Sequence, residues 1–310
     1  MKLIHPRIEI LEQQPGLQGM YDMIELCGKT SYKSPVQGGQ VAKNFVSARM
    51  NEGHYAVLEF GTVYLKTPYF TLAPKYGPVL EMVKKYQANQ YSKVSSILYN
   101  GDYGYHLITT NFRVLAENDW IADLKYWCEP TEYHQRRYTA RVITDRGTTH
   151  ELVRHRSMSF VQESTRYCNY SKDKFDNELT FILPPWMEIF NHEGHYDGEI
   201  RDGSGRIVMG EEVFIPPKTP AAYAEQYFCS RLWEAEKHYM FLIKNGWTPQ
   251  EARQILPNAL KTEICMCGFL DAWKHFFDLR YHGTTGKPHP SMYEVAEMLK
   301  FGFEEKGIAF

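Results

Sequence analysis

Residues 137–170, RYTARVITDRGTTHELVRHRSMSFVQESTRYCNY, carry the sharpest change of pattern in the chain. The first nine, Arg137–Asp145, are rich in β-branched residues and read as a strand. Arg146-Gly147 makes the turn. Thr148 and Glu151 have the spacing of a capping box, which predicts a short helix from Thr148 to the neighbourhood of Arg154-His155-Arg156. Cations are tolerated there because the helix dipole is negative at its C-terminus. Beyond it, Ser157, Ser159, Gln162, Ser164, Thr165 and Arg166-Tyr167 predict a loop whose side chains turn toward a ligand. Arginine forks match phosphate or carboxylate, and hydroxyls add single donors. A strand, a turn, a short helix and a cationic loop would hold such a pocket rigidly. The competing reading is an exposed charged turn. Nucleotide, cofactor phosphate and RNA backbone are equally open at this level.

The rest of the chain narrows the classes. Its 310 residues suffice for one large domain or two closely packed ones, and 43% hydrophobic with 15% aromatic residues support a real core. Lys and Arg number 35 against 37 Asp and Glu, a formal charge of -2. A general nucleic-acid binder carries a basic excess, so phosphate recognition here should be local. MKLIHPRIEILEQQPG brings acidic and polar residues too early for a signal peptide, and no stretch approaches the ~18 to 20 apolar residues of a membrane span. The expectation is a cytoplasmic protein with no nucleic-acid or membrane partner. Cys27, Cys128, Cys168, Cys229, Cys265 and Cys267 lack zinc-site spacing and read as reduced core or pocket thiols. His192 and His195 lie among glycines and read as a surface loop rather than a metal site.

In chain order, residues 3–13 suggest an edge strand, 20–32 a short helix into a turn, and 40–53 a helix ending at Gly53. His54–Leu65, HYAVLEFGTVYL, reads as a strand. A helix should start near Pro78. Strands from Ser95 and Tyr105 should lead to a helix over 118–127. Pro220–Asn245 predicts a long amphipathic helix whose aromatics, Tyr223, Tyr227, Trp233 and Tyr239, serve core or subunit contact. Thr248-Pro249-Gln250-Glu251 is the strongest helix start, with a capping box and proline at the first position. That helix carries Arg253 and ends at Leu256-Pro257. A second helix is expected over 258–278, and Ser291 and Glu294 should cap a last one. No internal repeat is present.

No Walker motif, GxGxxG or HExxH occurs. Cys168 beside Arg166 has a cationic neighbour but no partner base fixed by spacing, so it reads as a pocket wall. Arg253, His275 and Arg280 become meaningful only if they meet Arg154 in space. Otherwise they are a solvated cation, a satisfied histidine and a helix-end cation.

Arg154-His155-Arg156, seven residues, then Ser164 resembles the signature of the flavin-dependent thymidylate synthases. The similarity continues through Ser159, Gln162, Arg166 and Tyr167. A second similar stretch is Arg253-x-x-Leu256-Pro257, followed by Lys261-Thr262-Glu263 and His275-Phe276-Phe277-x-Leu279-Arg280. Gly53-His54 through Leu58-Glu59 looks like the family's early strand. The likeness spans about two thirds of the chain. It implies an α+β subunit, a mixed sheet flanked by helices, with residues 1–310 as one catalytic domain. Residues 66–136 and 183–212 would be insertions. It also implies a homotetramer with active sites between chains, and methylation of dUMP to dTMP with FAD, NADPH and 5,10-methylenetetrahydrofolate.

By the same resemblance, Arg154, His155, Arg156, Phe269 and His275 would serve flavin. Glu151, Gln162, Ser164, Arg166, Arg253 and Arg280 would serve dUMP. Arg280 would be catalytic at the uracil ring, and Ser164 a positioning hydroxyl rather than a nucleophile. The chain departs from the family at Phe60, where histidine is usual, and in GFLDAWKH, where Phe269 and Asp271 replace an Asn- or Arg-rich face. The reading that competes with the enzyme is a non-catalytic module for nucleotide or RNA phosphate.

Overall fold

The computed structural model describes residues 1–70, 77–99, 103–188, 191–196, 200–201, 207–209 and 219–310. In chain order the elements are β1 (Lys2–Ile4), β2 (Arg7–Leu11), α1 (Gly16–Lys29), α2 (Gly39–Asn51), β3 (Thr62–Phe70), α3 (Gly77–Gln87), β4 (Lys93–Tyr99) and β5 (Tyr103–Asn111). There follow α4 (Phe112–Glu117), β6 (Arg137–Asp145), α5 (Arg146–Leu152), β7 (Ser159–Gln162), β8 (Thr180–Ile182), β9 (Gly194–His195), β10 (Ile200–Arg201) and β11 (Ile207–Met209). The chain closes with α6 (Pro220–Lys244), α7 (Pro249–Ala252), β12 (Lys261–Phe269), α8 (Leu270–Arg280) and α9 (Pro290–Glu305). The architecture is α+β, with sheets flanked by helices.

The sheet that organises the site has the order β2-β6-β12-β7, and all its pairings are antiparallel. Mixed strand direction occurs in the small sheet β8-β1-β9, where β1 runs parallel to β8 and antiparallel to β9. A third sheet, β3-β5-β4, is an antiparallel meander. The segment 66–136 builds most of that meander together with α3 and α4. Much of 183–212 lies outside the described residues.

β12 was the element least legible in advance. The expected helix over 258–278 is a strand over 261–269 followed by α8. KTEICMCGF is buried at every position but the first. A strand covered on both faces shows no period of two, so its apolar run resembles a buried helix. Pairing decides the matter: β6 runs along all of β12, and β7 covers Ile264 to Cys267 on the other edge. Gly268 lets the chain before β7 come close, since a Cβ there would stand 2.9 Å from Met158 Cγ.

α8 and α9 close one face of this sheet. Trp273, Phe276, Phe277, Leu299 and Phe303 form one cluster with Ala140, Val142, Ile264 and Met266. The Trp273 indole N–H donates to Tyr138 O at 3.1 Å, so the ring is buried without an orphan donor. On the other face, Leu11, Met23, Cys27, Phe60, Cys265 and Cys267 pack together. All six cysteines are free thiols, and five of them are buried.

Several boundaries move. His54–Leu65 is not one strand: residues Tyr55–Phe60 form a 3-10 turn and β3 starts at Thr62. α1 lies against the break, for a Cβ on Gly61 would meet Ile24 Cδ1 at 2.6 Å. Where a helix was expected over 118–127 there is only a 3-10 turn over Ile121–Tyr126; the α-helix lies before it, as α4, capped by the Asn111 side chain. Residues 3–13 make two strands, of which β2 is the sheet edge. α9 is capped by His289, whose ring accepts from Ser291 N, rather than by Ser291. The long helix and the Thr248–Glu251 capping box stand as read. Tyr239 of α6 is in the core, while Tyr223 and Tyr227 are exposed.

Candidate active site

β6 delivers the chain into α5 across one carboxylate. Asp145 Oδ1 accepts from Thr148 N at 2.7 Å, and Oδ2 accepts from Thr148 Oγ at 2.6 Å. The N-cap is therefore Asp145, not Thr148, and α5 spans Arg146–Leu152. An aspartate cap satisfies an orphan amide and adds negative charge where the dipole is positive, an advantage Thr148 lacks. Turns at Glu151–Arg154 and His155–Met158 then reverse the chain. The expected loop is partly β7, because residues 159–162 find β12 as a partner.

That reversal brings distant residues together. Arg280, the last residue of α8, donates from Nη1 to Glu151 Oε2 at 2.7 Å and from Nε to His155 Nε2 at 3.1 Å. The His155 and His275 rings are 6.2 Å apart, and His155 lies edge-on to Phe276 at 5.0 Å. His155 is buried, 6% exposed. Burial first, then the charges of Arg280 and His275, push its pKa down to about 4. A neutral imidazole is what Arg280 requires, because only the unprotonated nitrogen accepts. Arg154 and Arg156 on either side are exposed.

At the other end of the stretch, Arg253 Nη1 donates to Thr165 Oγ at 3.4 Å. Ser164 N donates to Ser31 O at 3.0 Å, and Ser164 Oγ accepts from Arg166 N at 3.3 Å. Among the described residues no base touches the Ser164 hydroxyl. Cys168 is buried, and burial and then Glu163 push its thiol up to about 11, which leaves no thiolate near neutrality. Gln162 joins the two ends: its amide donates to Thr149 Oγ at 2.9 Å and to Thr262 Oγ at 3.2 Å. Phe269 is two residues past Cys267, the partner of Ser159, so it lies on the RHR side of β12. Lys93 Nζ is 4.8 Å from its ring centroid. Lys93 also pairs with Asp271 at 2.6 Å.

Beneath this surface is a charged network that sequence reasoning left unassigned. Lys261 Nζ donates to Glu163 Oε2 at 2.8 Å and to Glu263 Oε1 at 2.9 Å. Lys33 also pairs with Glu263, and Tyr170 O–H donates to Glu163 Oε1 at 3.0 Å. Burial works against the Lys261 charge, but the two carboxylates outweigh it and raise its pKa. Burial likewise opposes the Glu263 charge, and Lys261 and Lys33 overcome it, so its pKa is lowered. The signal was Lys261 and Glu263 at i and i+2. On a strand they share a face; on the helix first expected they would diverge by about 200°.

Among the described residues, no group of three His, Cys, Asp or Glu side chains could hold a metal ion. His195 instead lies 3.0 Å from Glu178. No described helix is long and apolar enough to cross a membrane.

The fold and site are those of an α+β protein that gathers arginines, an imidazole and small hydroxyls around one strand–helix–strand junction. The family model of the thymidylate synthase complementing proteins matches residues 129–301, more than half of the chain, and the chain belongs to that family. The match takes in both the signature stretch and the Arg253–Arg280 region, and leaves residues 53–59 outside. Two relatives are flavin-dependent thymidylate synthases. That of Mycobacterium tuberculosis (strain ATCC 25618 / H37Rv) is 30% identical over 135 residues, 44% of this chain and 45% of the relative. That of Mycobacterium sp. (strain KMS) is 29% identical over 138 residues, 44% and 46% of the two chains. The chain thus matches somewhat less than half the length of these curated relatives. A solved UMP/dUMP methylase, PolB from Streptomyces cacaoi bound with 5-Br dUMP, aligns over 98% of this chain and 93% of its own, with 14% identity and a TM-score of 0.44.

Proposed function

We propose that this protein methylates dUMP to dTMP in the cytoplasm, using 5,10-methylenetetrahydrofolate as one-carbon donor, NADPH as reductant and FAD as the intermediary. The observation that carries the reading is the meeting of Arg280 with Glu151 and His155, 129 and 125 positions away in the chain, at the signature turn. Membership of the family supports the class of reaction. The chemistry of the residues suits the ligands. Arg166 is exposed and Arg253 half-buried beside small hydroxyls, as a nucleotide phosphate requires. Arg154 and Arg156 present cations on the other side of the turn, where FAD would be held together with His275 and Phe269.

Bound flavin supplies the hydride transfers between NADPH and the new methyl group. The chain's own part is binding and electrostatics. Gln162, Ser164, Arg166 and Arg253 hold the nucleotide, with Glu151 near its base. Ser164 positions it by hydrogen bonding. Arg280 faces the uracil and stabilises negative charge as C5 becomes nucleophilic. A fixed cation is most effective where charge develops, because it needs no reorganisation at that moment. Glu151 and His155 fix this one. We place the whole of 1–310 in one catalytic domain, with 66–136 and 183–212 as insertions in a homotetrameric subunit whose sites lie between chains.

Purified protein reconstituted with FAD is expected to be yellow. Its flavin absorbance should bleach anaerobically with NADPH, and dUMP with methylenetetrahydrofolate should yield dTMP. Protein that stays colourless in excess FAD sinks the proposal.

A further inference from the structure

Outside the signature stretch, one concave surface gathers cations that the chain does not neutralise. Several described arginines outside that stretch have a carboxylate. Arg7 pairs with Glu193, Arg49 with Glu52, Arg113 with Glu59 and Glu117, and Arg141 with Glu9. Arg136 and Arg137 differ. Among the described residues, neither has a carboxylate within ion-pair distance. Both line a cleft of about 390 Å³ between the end of β2, the start of β3 and the start of β6.

The two side chains are nevertheless held. Arg137 Nη1 donates to Glu59 O at 2.9 Å and to Thr62 Oγ at 3.3 Å. The Arg136 guanidinium carbon lies 5.9 Å from the centre of the Tyr64 ring, itself 7% exposed. Trp127 and Tyr138 add aromatic wall, and Gln13 and Gln14 add polar rim. The lining carries three cations, Arg136, Arg137 and Lys306, against the two carboxylates Glu12 and Glu129. Glu12 pairs with Lys306 within the lining at 2.9 Å, and Glu129 accepts the Gly16 amide at 2.8 Å. With Lys306 and Glu12 paired to each other, two positioned guanidinium groups face the cleft against the one carboxylate Glu129, an excess of positive charge beside aromatic rings that suits a planar molecule with an anionic substituent.

We propose that this cleft binds an oxyanion, a phosphate or carboxylate group, carried by a reactant of the methylation other than dUMP. The location is apt. Arg137 is the register partner of Phe269, and its guanidinium carbon lies 5.8 Å from the centre of that ring. The cleft therefore flanks the RHR side of β12 and not the Ser164–Arg253 end. The identity of the carrier rests on the proposed activity, whereas the binding of the anion does not.

The test uses the full chain with its flavin, as wild type, Arg136→Gln and Arg136→Gln/Arg137→Gln. Calorimetry with inorganic pyrophosphate reads the anion site directly, and the single variant should bind roughly tenfold more weakly, the loss expected for one charge-assisted contact. Should the double variant fail to fold, because Arg137 ties down Glu59, Arg136→Gln alone carries the comparison. Michaelis constants then identify the carrier. A rise for NADPH but not NADH assigns the cleft to the ribose phosphate. A rise for polyglutamylated but not monoglutamylated methylenetetrahydrofolate assigns it to the glutamate carboxylates. Pyrophosphate binding that is equal in wild type and Arg136→Gln overturns the proposal. So does weakened pyrophosphate binding with every Michaelis constant unchanged, which would mark an adventitious ion only. Wild-type protein that forms no dTMP but whose pyrophosphate affinity still falls in the variants overturns the proposed activity and leaves the anion site standing.

Discussion

Arg280 is where residue chemistry matters most. Its guanidinium is fixed from two sides, by an acid and by a neutral imidazole. Arg280→Ala should lower kcat/KM for dTMP formation by about 100-fold or more, the cost of removing a preorganised charge from a transition state. Flavin absorbance per subunit should stay near wild type; loss of flavin with unchanged turnover per bound flavin would refute the assigned role. His155 gives a pH signature. Its pKa falls from an ordinary 6.5 to about 4 in the folded state. Between those values the unfolded chain takes up a proton that the folded chain refuses, so this contribution to stability is complete above 6.5 and is lost as pH falls toward 4. Melting temperature measured against pH should decline less across that window in His155→Gln than in wild type. Lys261 is a structural counterpart. Lys261→Met leaves Glu163, 2% exposed, without a cation and Glu263, 7% exposed, with Lys33 alone, and should cost about 3 to 5 kcal/mol in denaturant unfolding. Beyond the i, i+2 spacing of Lys261 and Glu263, no sequence pattern announced that network, because its members come from 33, 163, 170 and 261–263 and meet only in space.

At the scale of the element, α5 and β12 carry the lesson. α5 is seven residues long, too short to stand on propensity alone, and it depends on its cap. Asp145→Ala should destabilise the protein by about 1 kcal/mol in chemical unfolding, with most of the loss restored by Asp145→Asn. Because α5 also sets Glu151 against Arg280, the same substitution should reduce turnover more than its stability loss implies. The strand over 137–145 and a capped helix after it were legible from β-branching and spacing, but the cap is Asp145, three residues before the Thr148 that the capping-box spacing indicated. β12 was not legible at all. Its burial on both faces erased the alternation by which strands are recognised.

Across the whole molecule, the described residues form four sheets, and the proposed site stands at the edge of the one built from β2, β6, β12 and β7. FAD that binds only the folded state should raise the melting temperature in a concentration-dependent way, by about 2.7 kcal/mol of stability at a hundredfold excess over Kd. A scan against FAD concentration checks this without any turnover. Sedimentation should give four times the 36.3 kDa subunit mass if the sites lie between chains as proposed.

By itself the sequence determined the chemistry: which arginines, hydroxyls and imidazoles exist, the spacing of RHR to Ser164, and the helices with strong caps such as Thr248–Glu251. Those are local properties, fixed by side-chain type and by backbone hydrogen bonding over a few residues. Only the tertiary structure decided that Arg280 meets His155 and Glu151, that Lys261 lies between two buried carboxylates, and that KTEICMCGF is a central strand. These outcomes depend on partners far away in the chain. The free energy that selects them comes from burial and pairing against β6, β7 and α8, and a local pattern does not encode that.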